Sequence, residues 1–282
     1  MYFLYLILLV LLPINIILHE CGHCLHYLLS GIKIRAIAVN GLICAKGEKR
    51  WKCVWCKSAQ TNFILPQIIE NKDVQYYIEK IKKNLLFGPA VSVCLLILWI
   101  SILTIYSINE TDNIIILILL WLNVAANLSI LQGCFNTKRE AIGDLAAYKL
   151  LKHSEEKIYP YLLDYFMYNM KICTGFEKIL NIDFSKLSDE EKCDWALDII
   201  VLFMLGHITE ISDEISQYIR RYVKTMLKKN PVDKGIALYI FELYLTGQEE
   251  KKCLPMQYVS NKPMESLFVL LEIDKIIIER WV

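Results

Sequence analysis

The chain has 282 residues, 55% of them apolar, and a mean hydropathy of +0.37; both values are high for a soluble globular protein. With 31 Lys and Arg against 30 Asp and Glu, the formal charge is +1, which excludes a bulk electrostatic case for binding nucleic acid.

The first 31 residues carry a single charged side chain, Glu20. A first apolar helix is expected over about residues 2–29, with Pro13 as a source of a kink and Gly31 as its stop. It lacks a basic leading region and its apolar run continues to residue 29, so it reads as a retained span rather than a cleaved signal. Residues 32–66 change character: Ile32–Val39 is rich in β-branched residues, Gly41 follows, and Thr61–Leu65 ends at Pro66. Short strands or a hairpin are expected there. Residues 67–84 suit a short amphipathic helix. A second span covers about 85–108, opening with Gly88-Pro89, and a third about 114–131. At 1.5 Å per residue each span can cross roughly 30 Å of hydrocarbon.

Charge between the spans is segregated. The first loop holds Lys33, Arg35, Lys46, Lys49, Arg50, Lys52 and Lys57, then Lys80, Lys82 and Lys83; the second holds Glu110 and Asp112. The positive-inside rule then gives a multi-pass cell-membrane protein with its N-terminus outside and its C-terminal domain in the cytoplasm. Lys80–Lys83 is read as an orientation signal touching anionic lipid.

From about residue 145 the pattern is helical, as in Trp195–Phe203, with Ser188–Glu191 as a capping box. Asn230-Pro231 and Thr246-Gly247 mark breaks. Tyr159, Tyr161, Tyr165 and Tyr168 fall at helical spacing and read as core. The expected fold is mainly α: a polytopic membrane protein with three core transmembrane helices, a small β-hairpin insertion and a C-terminal α-helical cytoplasmic domain. Residues 1–144 form the membrane core and 145–282 the second domain.

Ten cysteines show no framework spacing and read mostly as reduced thiols. Cys53 and Cys56 form a CxxC pair that, with Cys44, invites a zinc-ribbon or redox reading. A structural zinc site needs four ligands, and no second pair follows.

Chemistry concentrates at His19-Glu20-Cys21-Gly22-His23. Ionisable residues in an apolar span are costly and mark function by default. On a helix His19 and His23 share a face and can grip one metal ion, with Glu20 beside it as a base. Cys21 points to another face. A catalytic zinc takes three protein ligands and leaves one position open. Of the remaining histidines, His153 and His207 lie in the later helices, and His26 sits one turn past His23 as a further ligand or a donor behind one. The best third ligand is Asp144, just after the third span. The bland reading is a polar cluster that joins helices by hydrogen bonds.

These residues resemble the site-2 protease family of intramembrane zinc metalloproteases, including the sporulation-factor protease type. The resemblance rests on the HExGH motif, on Gly88-Pro89 opening the next span, and on Asn127-Leu128 in the last span followed by Asp144. It covers about residues 10–150. It implies that Asp144 completes the zinc shell and that Asn127 helps hold the substrate peptide. Family members commonly carry Pro after the Asn-Leu pair and Asp-Gly at the ligand; here Ser129-Ile130 and Leu145 stand there.

The expected function is therefore a membrane-embedded zinc metalloendopeptidase. Zn2+ would activate water, and Glu20 would act as the base. The substrate would be a membrane-anchored or membrane-associated protein or peptide, recruited with or without a partner at the C-terminal domain. Strands in 32–66 would pair with an unwound substrate. The alternative is a catalytically silent scaffold that kept the fold. Trimming of a small exported peptide is a further version of the enzyme reading.

Overall fold

The computed structural model describes residues 2–47, 50–55, 62–68, 72–109, 113–137, 142–153, 158–167, 174–180 and 182–226. Asn230-Pro231, Thr246-Gly247, Cys56 and Tyr168 lie outside them. The fold is mainly helical with a small antiparallel sheet. The chain divides into two compact units: Met1–Leu42, Gln60–Gln67 and Gln75–Ile158 in one, and Ile43–Ala59, Ile68–Val74 and Tyr159–Val282 in the other.

The first unit opens with α1 (Tyr2–Leu29), a 28-residue helix that runs through Pro13 unbroken. Its end follows from local chemistry. Gly31 takes the left-handed conformation (φ 72°), which lets Ile32 N–H donate to Tyr27 O at 2.9 Å. Ile32 and Tyr27 also pack together with Ile64, so the terminus has both the hydrogen bond and the apolar contact of a Schellman end. Next come β1 (Ile34–Val39) and, at Asn40-Gly41, two consecutive positive-φ residues, the conformation a two-residue hairpin turn demands. β4 (Phe63–Pro66) pairs antiparallel with β1, Ile37 facing Ile64, with an irregularity between Ile34 and Ala36. Pro66 itself cannot donate, and Gln67 N–H, one residue on, donates to Lys33 O at 2.7 Å.

Three helices follow: α2 (Val74–Asn84), α3 (Phe87–Ile108) and α4 (Ile114–Gly133). The amphipathic helix thus starts at Val74, later than the expected residue 67. Asp73 bridges Thr174, and Val74 N–H donates to Thr174 O, so those backbone groups are already engaged outside the helix. Three stretches, Phe3–Leu29, Val74–Ile108 and Ile114–Gly133, are long and apolar enough to cross a membrane. Their outward residues are large and apolar: Ile97, Ile105, Ile108, Ile114 and Trp121 are all exposed. That surface is consistent with association with a bilayer.

The core between α1, α3 and α4 is Leu8, Trp99, Leu103, Ile116, Leu119, Leu120 and Val124. A buried polar knot ties the same helices. Asn15 Nδ2 donates to Asn123 Oδ1 (3.0 Å), and Trp99 Nε1 donates to Asn15 Oδ1 (3.1 Å). Asn123 Nδ2 donates to Leu8 O (3.1 Å) and Leu119 O (3.0 Å). Gly22 lets α1 and α3 approach closely, because a Cβ there would stand 2.8 Å from Phe87 O. The unit continues with α5 (Asp144–Lys152).

The second unit holds β2 (Leu42–Lys46, from Ile43 onward) and its neighbour β3 (Trp51–Trp55). Cys44 and Cys53 are joined by a disulfide. This corrects the expectation of reduced thiols at these two positions and the grouping of Cys53 with Cys56: neighbouring strands bring Cys44 and Cys53 face to face. Among the described residues Cys21, Cys24, Cys94 and Cys134 are free thiols. Helices α6 (Tyr159–Met167), α7 (Glu177–Leu180), α8 (Asp189–Leu205) and α9 (Asp213–Met226) complete the unit. The capping box at α8 is formed: Glu191 N–H donates to Ser188 Oγ, and Ser188 N–H to Glu191 Oε2. Trp195, Ala196 and Ile200 are fully buried along that helix, and Tyr165 on α6 is buried as its spacing predicts.

Candidate metal centre

α1 carries Asn15, His19 and His23 at successive four-residue steps, so they form one buried stripe. The stripe faces α3, where Gly88 lies directly over the imidazoles. A Cβ on Gly88 would come within 2.6 Å of His19 Nε2 and 2.7 Å of His23 Cε1, and closer still to His23 Nε2. The glycine of the Gly88-Pro89 pair therefore keeps the Nε2 edges of both rings open.

Each ring is fixed from behind. His23 Nδ1 lies 2.9 Å from Asn84 O at the end of α2. A carbonyl only accepts, so Nδ1 carries the hydrogen and Nε2 is left as the donor atom for a metal. His19 Nδ1 lies 2.8 Å from Ser92 Oγ on α3; with Ser92 accepting, His19 is set in the same tautomer. Both Nε2 atoms then converge on Asp144 Oδ2, at 3.0 Å for His19 and 3.3 Å for His23.

The three atoms belong to one group able to hold a metal ion. The separations of the two Nε2 atoms from Asp144 Oδ2, 3.0 and 3.3 Å, fit one shared cation. Zinc bonds of about 2.0–2.2 Å at tetrahedral angles put neighbouring ligand atoms about 3.3 Å apart. Without a shared cation or proton, a lone pair on each Nε2 would face a carboxylate oxygen at hydrogen-bond distance. Burial opposes ionisation of Asp144, but a proton shared with His19 and His23 would hold the carboxyl well below the usual range. The Asp144 side chain is 20% exposed against 7% for each imidazole, so the group is least buried on the α5 side.

Glu20 is buried on α1, close enough to His19, His23 and Asp144 to interact with their charges. His26 takes no place in the group; its ring packs on Phe87 with centroids 4.4 Å apart, and its Nε2 faces Ser30 Oγ. Asn127 is fully buried on α4 and donates to Asn123 O one turn back. Among the described residues its Oδ1 has no hydrogen-bond partner, and it is not one of the residues that close on the metal group. His153 and His207 are likewise not in the group.

Four residues missed by sequence reasoning shape this centre: Ser92, Asn84, Cys134 and Gly143. Cys134 Sγ lies 3.9 Å from Asp144 Oδ2. Ser92 had a signal, a small hydroxyl inside an apolar span; Asn84 acts through its backbone, which no side-chain pattern reveals.

Comparison with family models, with curated proteins and with solved structures finds no match to this chain.

Proposed function

We propose that this chain is a membrane-embedded zinc metalloendopeptidase of the site-2 protease type. The observation that carries the reading is the convergence of His19 Nε2, His23 Nε2 and Asp144 Oδ2 beside a buried Glu20, on helices apolar enough to span a bilayer. Two imidazoles and one carboxylate are a donor set of catalytic zinc sites. When bound, zinc would acidify a water molecule and polarise the scissile carbonyl.

The rest of the chemistry belongs to the chain. Asn84 O and Ser92 Oγ orient the rings. Gly88 leaves space above them. Glu20 takes a proton from water and returns it to the leaving amine. Asn127, whose Oδ1 has no partner among the described residues, offers an acceptor for a substrate N–H. A helical substrate must unwind before attack, since its amides are otherwise held in i-to-i−4 bonds; β4, at the edge of the sheet, offers its outer side for the unwound segment. In this reading the basic loop and the C-terminal helices face the cytoplasm, and those helices recruit substrate or a partner. A silent scaffold with the same fold is the competing reading; the intact Glu20 favours the enzyme.

The test is metal content and cleavage together. Purified wild type should hold one zinc per chain and cut a membrane-anchored peptide. Glu20→Gln should keep the metal and lose at least about 100-fold in rate. Asp144→Ala should lose the metal. Activity surviving Glu20→Gln would remove the proposed base, and undiminished zinc in Asp144→Ala would remove the third ligand.

A further inference from the structure

Two of the three ligands sit on a long helix, whereas Asp144 is the first residue of the nine-residue α5. Its position must be set by something other than a span. The backbone supplies it. Gly143 N–H donates to Asn136 O at 2.9 Å, and Leu145 and Ala146 N–H donate to Cys134 O at 2.9 and 3.1 Å. First-turn amides of a helix lack partners within the helix, and Gly143 has no side chain to cap them. Here one carbonyl from the end of α4 holds two.

Close approach makes this possible. A Cβ on Gly143 would collide with Gly133 O and the Cys134 carbonyl carbon, and would stand 2.5 Å from Cys134 O. All three are backbone atoms and cannot swing aside. The Gly143 backbone itself (φ −77°, ψ 155°) is ordinary for any residue, so the glycine serves proximity, not conformational freedom. Gly133, ten residues earlier, has open space where its Cβ would be.

We propose that residues 134–136 and 143–146 form a backbone latch, closed by Gly143, that sets the Asp144 carboxylate against the two imidazoles. Gly143 and Cys134 are then positioning residues for the third ligand. The proposal rests on the metal reading above for its purpose, but the latch has a metal-free readout. With ordinary contact beginning at 3.4 Å, a methyl 2.5 Å from Cys134 O displaces the segment by at least 0.9 Å. Metal sites tolerate about 0.2 Å.

The experiment uses the full chain in lipid nanodiscs. Amide exchange is followed without metal, and zinc affinity is measured by competition with a chelator. In wild type, the Leu145 and Ala146 amides should exchange as slowly as those deeper in α5. Gly143→Ala should speed their exchange and weaken zinc binding at least about tenfold; Gly133→Ala should change neither. Asp144→Glu, one methylene longer, should recover part of the affinity in the Gly143→Ala background while weakening binding alone. Absence of zinc binding by wild type would sink the metal reading and leave the exchange data to decide the latch. Free exchange of both amides in wild type overturns the latch even if Gly143→Ala does not fold. So does a Gly143→Ala protein equal to wild type in both measurements, an equal loss in Gly133→Ala, or no gain from the longer side chain.

Discussion

Gly88→Ala is the sharpest steric probe of the metal centre. The added methyl would stand 2.6 Å from His19 Nε2, where ordinary contact begins near 3.4 Å, so ring or helix must give by at least 0.8 Å. The rings are not free to yield. Each is tied through Nδ1, His19 to Ser92 and His23 to Asn84 O, and losing those two bonds costs about 1 kcal/mol each. With residual strain in the ligand set the loss comes to about 2–3 kcal/mol, or roughly 30- to 150-fold in metal affinity. The assay is chelator competition on purified protein, with metal per chain measured in parallel and helical content checked by circular dichroism. A Gly88→Ala protein that folds and binds zinc as tightly as wild type would refute the placement of Gly88 over the imidazoles.

Two further outcomes follow from the buried groups. Asn123→Leu leaves the Asn15 side-chain N–H without its acceptor and removes one donor to Leu8 O, and should cost about 1–3 kcal/mol of stability. Trp99→Phe, which removes one donor to Asn15, should cost only about 0.6–1.7 kcal/mol; thermal unfolding in detergent orders the two, and a neutral Asn123→Leu would contradict the knot. Burial, reinforced by the nearby carboxylates, pushes the Cys134 thiol up to about 12, so at pH 8 about one thiol in ten thousand is ionised. Cys134 should therefore resist alkylation in the folded protein and react once it is denatured, as read by peptide mass; labelling at the rate of a free thiol would overturn this.

The sequence carries some of this architecture openly and conceals the rest. His19 and His23 were legible because helical spacing alone puts them on one face, and Glu20 because a charge in an apolar span is costly. The spans were legible from length and hydropathy, and the α8 capping box from four consecutive residues. β2 and β3 fall inside the 32–66 segment expected to hold strands, but their bounds were hidden: their Cys, Lys and Trp residues show no clean alternation of apolar and polar, and the disulfide depends on strand neighbours. The approach of Asp144 to His19 spans 125 residues, a relation that no local pattern encodes. Gly143 and Asn84 were illegible for another reason. Both act through backbone atoms, so the residue type says little of the role.

The Asn15–Asn123 bond joins residues 108 positions apart. In a chain inserted as it is made, at about 5–20 residues per second, the first helix would wait about 5 to 20 s for the partner of its central amide. Hydrocarbon offers that amide, and the imidazoles one turn on, nothing to bond with in the interval. If the three helices do enter a bilayer, the first would gain the partners of its polar stripe only on arrival of the later two, which couples their insertion.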